Sequence, residues 1–252
     1  MMRGFFCLLF FLVSLLAITR SQDVQHLLAE ARKAEAALQE EEAFQRYRQV
    51  LQLEPTNHAA LCKSSELAIK LGHRLKNKEE QLNRYELAMQ YAKKAIQLYP
   101  NSADANFVMS VALGRMALVR SGGEMIGMVK EIKKYAENVV RLNPADFRGY
   151  HVLGKWNYEI SGLGAFKRTA VRILYGAFPE ASFQLAARNY ETSLKLNPQF
   201  NLNYLELAKV YLKLDQQEKA VKLLEAVRHL PYKMSDDARV RAESQELLNS
   251  LK

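Results

Sequence analysis

Apolar positions recur along most of this chain at the three-to-four-residue spacing of amphipathic helices, and no stretch shows the sustained period-two alternation of a half-buried strand. Four of the apolar stretches end alike: VLQLEP at 50–55, AIQLYP at 95–100, VVRLNP at 139–144 and SLKLNP at 193–198. In each, a leucine stands two residues before a proline. Proline has no N–H to donate, and its ring drives the preceding residue out of the α region, so the four motifs predict four helix stops. Ahead of the stops, small and aromatic residues fall on one helical face: Ala43 and Tyr47, then Ala88, Ala92 and Ala95, then Ala186 and Tyr190. Small residues at such points let two helices cross closely. The fold class predicted is all-α, without a sheet.

The spacing of the stops adds a repeat. From Pro198 to Pro231 is 33 residues. Between them Tyr204, Leu207, Ala208 and Tyr211 line one face of a first helix, and Ala220, Leu224 and Val227 the facing side of a second. Period and residue types together resemble the tetratricopeptide repeat, a helical hairpin of about 34 residues. The earlier proline spacings of 45, 44 and 54 predict related units with lengthened hairpins, Tyr150, Leu153 and Gly154 opening the fourth and Gly122-Gly123 breaking the third. The reading is a single solenoid-like domain over 22–252, with units at about 24–55, 57–100, 102–144, 146–198 and 200–231. Ser235, Asp236 and Asp237 predict the N-terminal cap of a closing helix that runs to 251.

The first twenty-one residues are expected to lie outside this domain. Arg3 precedes a fourteen-residue apolar run, Phe5 to Ile18, and Thr19 and Ser21 sit where a leader would be cut before Gln22. The run is short of the ~20 residues of a spanning helix. Export to a periplasm or cell envelope is the expectation, with an N-terminal membrane anchor as the alternative. Once the leader is removed, Cys62 is the last thiol, so no internal disulfide can form, and its helical setting predicts a buried, inert side chain.

With 252 residues, 49% hydrophobic and 25% charged, the composition is globular and excludes disordered, collagenous and disulfide-rich classes. The net charge of +9 invites nucleic acid, anionic membrane or acidic peptide as partner. No RNP-like aromatic motif, zinc spacing or dense Lys/Arg run supports nucleic acid. Histidines 26, 58, 73, 151 and 229 show no HxH or HExxH spacing, and no nucleophile elbow, P-loop or GxGxxG is present. The chain is therefore expected to be non-catalytic, with no metal and no cofactor.

The middle of the chain resembles the regulator of microtubule dynamics family. The resemblance rests on Leu113-Gly114-Arg115, on Glu131 to Glu137 (EIKKYAE), on Leu142-Asn143-Pro144 and above all on His151 to Glu159 (HVLGKWNYE). Leu174-Tyr175-Gly176, Pro179, Ala186 and Asn197-Pro198 follow in similar order, so the likeness spans about Leu61 to Leu214. It implies a helical-repeat fold. Eukaryotic members are linked to microtubules, and one is implicated in tethering and phospholipid binding at organelle contacts. This chain reads as an exported bacterial relative, which would meet no microtubule.

In tetratricopeptide units the first helices line a groove, and that register implies which residues face it here. They are Phe107, Val111 and Arg115, then Arg148, His151, Lys155 and Tyr158, then Leu205, Lys209 and Lys213. The expectation is a basic, partly apolar groove suited to a protein or acidic peptide, or alternatively to an anionic lipid head group. The groove asparagines of chaperone-tail binders are not found at the expected positions. Trp156, the single tryptophan, reads as core, and Glu159 as an i,i+4 partner of Lys155. Residues 161–178 form a basic amphipathic stretch. Its Phe166, Lys167, Arg168, Arg172 and Tyr175 are candidates for a lid or membrane contact, against the plainer reading of a helix packed on the solenoid.

Overall fold

The computed structural model describes residues 21–164, 168–169, 172–173 and 180–251, so residues 1–20 of the expected leader lie outside them. Among the described residues the chain is all-α, without a strand. Eleven helices have both ends within the described residues: α1 (21–36), α2 (Glu40–Leu53), α3 (His58–Arg74), α4 (Lys78–Leu98), α5 (Ala103–Val119) and α6 (Gly122–Leu142). Then come α7 (Phe147–Ser161), α8 (Phe183–Leu196), α9 (Asn201–Lys213), α10 (Gln217–Val227) and α11 (Asp237–Ser250).

The ends of these helices follow from local chemistry. Helices α2, α4, α6 and α8 all stop at the leucine two residues before proline. The residue between, Glu54, Tyr99, Asn143 or Asn197, takes φ between −131° and −143°, as the proline ring demands. Starts are held by side-chain caps. Asn57, Asn77, Ser102, Asp146 and Ser182 each accept a bond from a backbone N–H in the first turn. Gly122 opens α6 at φ +63°, a conformation that an L side chain would strain, so the α5–α6 hairpin breaks where Gly122-Gly123 predicts. The final cap differs from expectation. Asp236 makes no side-chain cap bond; instead Asp237 turns back and accepts from the N–H groups of Lys233 and Met234, at 2.7 Å each.

The chain divides into two compact units, Met1–Tyr99 and Pro100–Lys252. In the first, α3 packs on both α2 and α4 around Phe44, Tyr47, Val50, Leu61 and Leu67. Glu35 of α1 is tied to α2 by the Tyr47 hydroxyl and to α3 by Lys63.

In the second unit, α5 pairs with α6, α7 with α8 and α9 with α10, while α11 packs on α9 and α10. Successive odd-numbered helices also touch, α5 with α7, α7 with α9, and α9 with α11, so they form one layer. Ala186, Tyr190, Leu207, Ala208, Ala220, Leu224 and Val227 are buried between the layers. The α7–α8 crossing is set by Gly154, where an added Cβ would lie 2.8 Å from the Tyr190 ring. Trp156 is core, as its type suggests: it is 4% exposed, and its indole N–H donates to the Val129 carbonyl at 2.9 Å.

Candidate functional site

On α7, Arg148, His151, Lys155 and Tyr158 recur at i, i+3, i+7 and i+10, which puts them on one face of the helix. The layer of odd-numbered helices brings that face beside α5 and α9. There the structure pairs the cations with carboxylates, of which the sequence singled out only Glu159.

Arg148 is clamped three ways. Its guanidinium holds Asp146 in a bidentate bond with Nη2 at 2.6 Å and Nε at 2.9 Å, reaches Asp104 of α5 at 2.6 Å, and lies 4.5 Å over the Phe107 ring. Burial alone would lower its pKa, but the bonds to Asp146 and Asp104 raise it above the ordinary value. Arg148 thus works as a strut between α5 and α7.

The second cluster centres on Glu206 of α9, which is 7% exposed. One of its oxygens accepts from Lys155 at 2.8 Å and the other from Lys209 at 3.1 Å. Each lysine has a further carboxylate: Glu159 at 3.1 Å from Lys155, and Glu243 of α11 at 2.7 Å from Lys209. Burial would push the Glu206 pKa up, yet Lys155 and Lys209 together hold it below the usual carboxylate value. For both lysines burial works downward and is outweighed, first by Glu206, so their pKa values lie above normal. The result is a seam, Glu159–Lys155–Glu206–Lys209–Glu243, crossing α7, α9 and α11.

His151 lies between the two clusters. Its Nδ1 is 2.9 Å from the Asn203 side-chain oxygen, and its ring packs edge-on against Tyr190 and Phe200 at 5.3 and 4.9 Å. Burial pushes its pKa down, against the Asn203 bond and the Glu206 charge, so the imidazole is neutral at pH 7. Tyr158 stacks obliquely on Phe183 at 5.7 Å with the Lys155 ammonium over its ring.

Of the expected groove residues, Phe107, Arg148, His151, Lys155, Tyr158 and Lys209 are thus drawn into one connected face. Lys213 is exposed one helical turn beyond Lys209, and Arg115 is half-buried further along α5. Leu205 is a correction: it is fully buried in the core and cannot line the face. The α9 register is 206, 209, 213, which matches the 148, 151, 155 spacing of α7; applying that spacing to α9 would have found Glu206. A second correction concerns charge. The face is not the basic surface that its lysines and arginines suggested, because Asp104, Asp146, Glu206, Glu159 and Glu243 neutralise it.

Elsewhere, Phe166, Lys167 and Tyr175 lie outside the described residues, whereas Arg168 and Arg172 are helical and exposed. Cys62 is buried, with its sulfur 3.8 Å from Nε2 of His58. Among the described residues no group of His, Cys, Asp and Glu could hold a metal ion, and no helix is long and apolar enough to cross a membrane.

Comparison with solved structures shows the fold. A thermophilic TPR protein of Thermus thermophilus superposes with a TM-score of 0.64 at 16% identity, covering 90% of this chain and 99% of that one. PilF of Pseudomonas aeruginosa gives 0.54 at 14% identity, covering 92% and 90%. By sequence, regulator of microtubule dynamics protein 1 of Rattus norvegicus is 26% identical over 194 residues, which is 77% of this chain and 59% of the rat protein. Protein 2 of Homo sapiens is 24% identical over 177 residues, 70% of this chain and 43% of the human one. The chain thus spans less than two thirds of these mammalian relatives. Protein 1 of Caenorhabditis elegans is 26% identical over 158 residues, 63% of this chain and 70% of that protein. The model of the family "Regulator of microtubule dynamics protein 1-3" matches residues 27–252, well beyond the segment that carried the resemblance in the sequence. A repeat fold of this type and a family match over nearly the whole helical region together make the chain a member of the regulator of microtubule dynamics family.

Proposed function

We propose that the chain is a non-catalytic scaffold that binds a segment of another protein along the face shared by α5, α7 and α9. The observation that supports this is the fixed state of that face. Its long side chains are already ordered by ion pairs and ring contacts, so a ligand would not have to freeze them, and preorganisation of this kind lowers the entropic cost of association. Phe107 and Tyr158 supply aromatic surface between the charged groups. An anionic lipid head group is served less well, because Arg148, Lys155 and Lys209 are each held by carboxylates of the chain itself. The leader-like first twenty-one residues support a site of action outside the cytoplasm.

Selection from a random peptide library on the full chain tests the reading. Peptides enriched on the native protein should bind at least about tenfold more weakly to Tyr158→Ala and Phe107→Ala, which is on the order of 1.4 kcal/mol. Binding to Lys134→Ala, an exposed change on α6, should be unaltered. Failure to enrich any peptide, or equal binding to all three variants, overturns the proposal.

A further inference from the structure

If this face binds a protein segment, as proposed above, its charge decides which segments it accepts. Across α5, α7 and α9 and their caps stand Arg115, Arg148, Lys155, Lys209 and Lys213. Against them stand Asp104, Asp146, Glu159 and Glu206, with Glu243 brought onto Lys209 by α11. With Arg239 and Asp236, which α11 brings in beside Glu243 (Arg239 lies 3.1 Å from Glu243 and 3.6 Å from Asp236), six cations face six carboxylates, so the face is formally neutral in a chain of net charge +9. The positive excess lies elsewhere.

The two outer carboxylates differ from the inner one. Glu206 is buried and positions both lysines, whereas the Glu159 side chain is 61% exposed and that of Glu243 is 39% exposed. Glu159 and Glu243 therefore occupy the outward side of the lysines, where an incoming acidic side chain would have to sit. Such a side chain would meet their like charge and would compete with them for ammonium groups they hold at 3.1 and 2.7 Å. A neutral or basic side chain meets no such conflict. We infer that Glu159 and Glu243 are specificity-determining residues that exclude acidic ligands, and that the face takes a peptide segment of apolar and aromatic residues without Asp or Glu. Specificity then comes from a repulsive element as much as from attraction.

The same peptide library tests this on the native chain and on Glu159→Gln/Glu243→Gln, whose substituted positions are on the surface and whose lysines keep Glu206. Peptides selected on the native protein should be depleted in Asp and Glu, and those selected on the variant should contain at least about twice as many. An enriched peptide re-made with two of its neutral positions changed to Glu should bind native protein at least about tenfold more weakly and recover on the variant. Single Glu243→Gln should give part of that recovery. Equal acidic content in the two pools, or undiminished binding of the Glu-substituted peptide to the native chain, overturns the inference while leaving peptide binding intact. Absence of enrichment on both proteins overturns the binding function itself.

Discussion

The two units bring together the same residue types, a tyrosine, lysines and glutamates, and arrive at different electrostatics. In the first unit, Tyr47 donates to Glu35 at 2.6 Å, Lys63 bridges Glu35 at 2.9 Å and Glu66 at 3.5 Å, and Lys70 meets Glu66 at 2.9 Å. Both glutamates keep about a fifth of their side-chain surface in water. In the second, the equivalent tyrosine, Tyr190, is buried as Tyr47 is, but its hydroxyl is 3.5 Å from Glu206, and that carboxylate is nearly closed off. The first arrangement is a row of half-buried pairs whose carboxylates solvent still reaches. The second is a buried carboxylate whose charge persists only because two ammonium groups face it. Burial turns the same ingredients from an accessory into a requirement, because an unpaired charge costs far more inside than outside.

Removing both lysines of the buried seam is the largest way to break the contrast. Lys155→Met/Lys209→Met should lower unfolding free energy in urea by about 2–3 kcal/mol, the cost of stranding Glu206 after allowance for its residual exposure. The tyrosines should respond in the opposite order. Tyr47→Phe loses a short bond to a charged acceptor and should cost about 1–1.5 kcal/mol, whereas Tyr190→Phe gives up only a long contact and should cost less than about 0.5 kcal/mol in the same assay. Lys63→Met, in the solvated row, should cost less than about 1 kcal/mol. A Lys63 loss as large as that of the double lysine change would erase the distinction between the units.

The smallest effect is a pH slope. His151 is held neutral by burial, with Glu206 and Lys155 as its charged neighbours. Below its ordinary pKa of about 6.5 the unfolded chain takes up a proton that the folded chain does not, so stability falls as pH drops through that value towards the lower folded pKa. Glu206, with its depressed pKa, stays ionised throughout that window. Thermal unfolding of the native chain should therefore shift downward between about pH 7 and 5, and His151→Gln should flatten that part of the shift.

Much of the architecture could be read from the sequence because it is written locally. Proline two residues after leucine ends α2, α4, α6 and α8, and the alanine–tyrosine pairs Ala43/Tyr47 and Ala186/Tyr190 mark faces that are buried. The all-α class and the helical hairpins follow from those signals. The candidate face was half legible. The spacing 148, 151, 155, 158 defines one side of α7, but Leu205 falls one position off the matching register of α9 and belongs to the core. Of the neutralising partners only Glu159, one turn from Lys155, was read from the sequence; Glu206 lies 51 residues from Lys155, Asp104 44 from Arg148 and Glu243 34 from Lys209. Such distances are closed only by packing the helices in a layer, so a count of lysines and arginines suggested a basic groove, whereas the folded chain pairs these cations with carboxylates.

The central claim is that Glu206 is a buried charge sustained by Lys155 and Lys209. Urea unfolding of Lys155→Met/Lys209→Met, compared with the same protein carrying Glu206→Gln in addition, tests it most directly. If the claim holds, neutralising Glu206 restores at least half of the stability lost with the lysines, because the stranded charge is gone. If the triple variant is no more stable than the double, the lysines act through something other than Glu206, and the seam is not the electrostatic unit described.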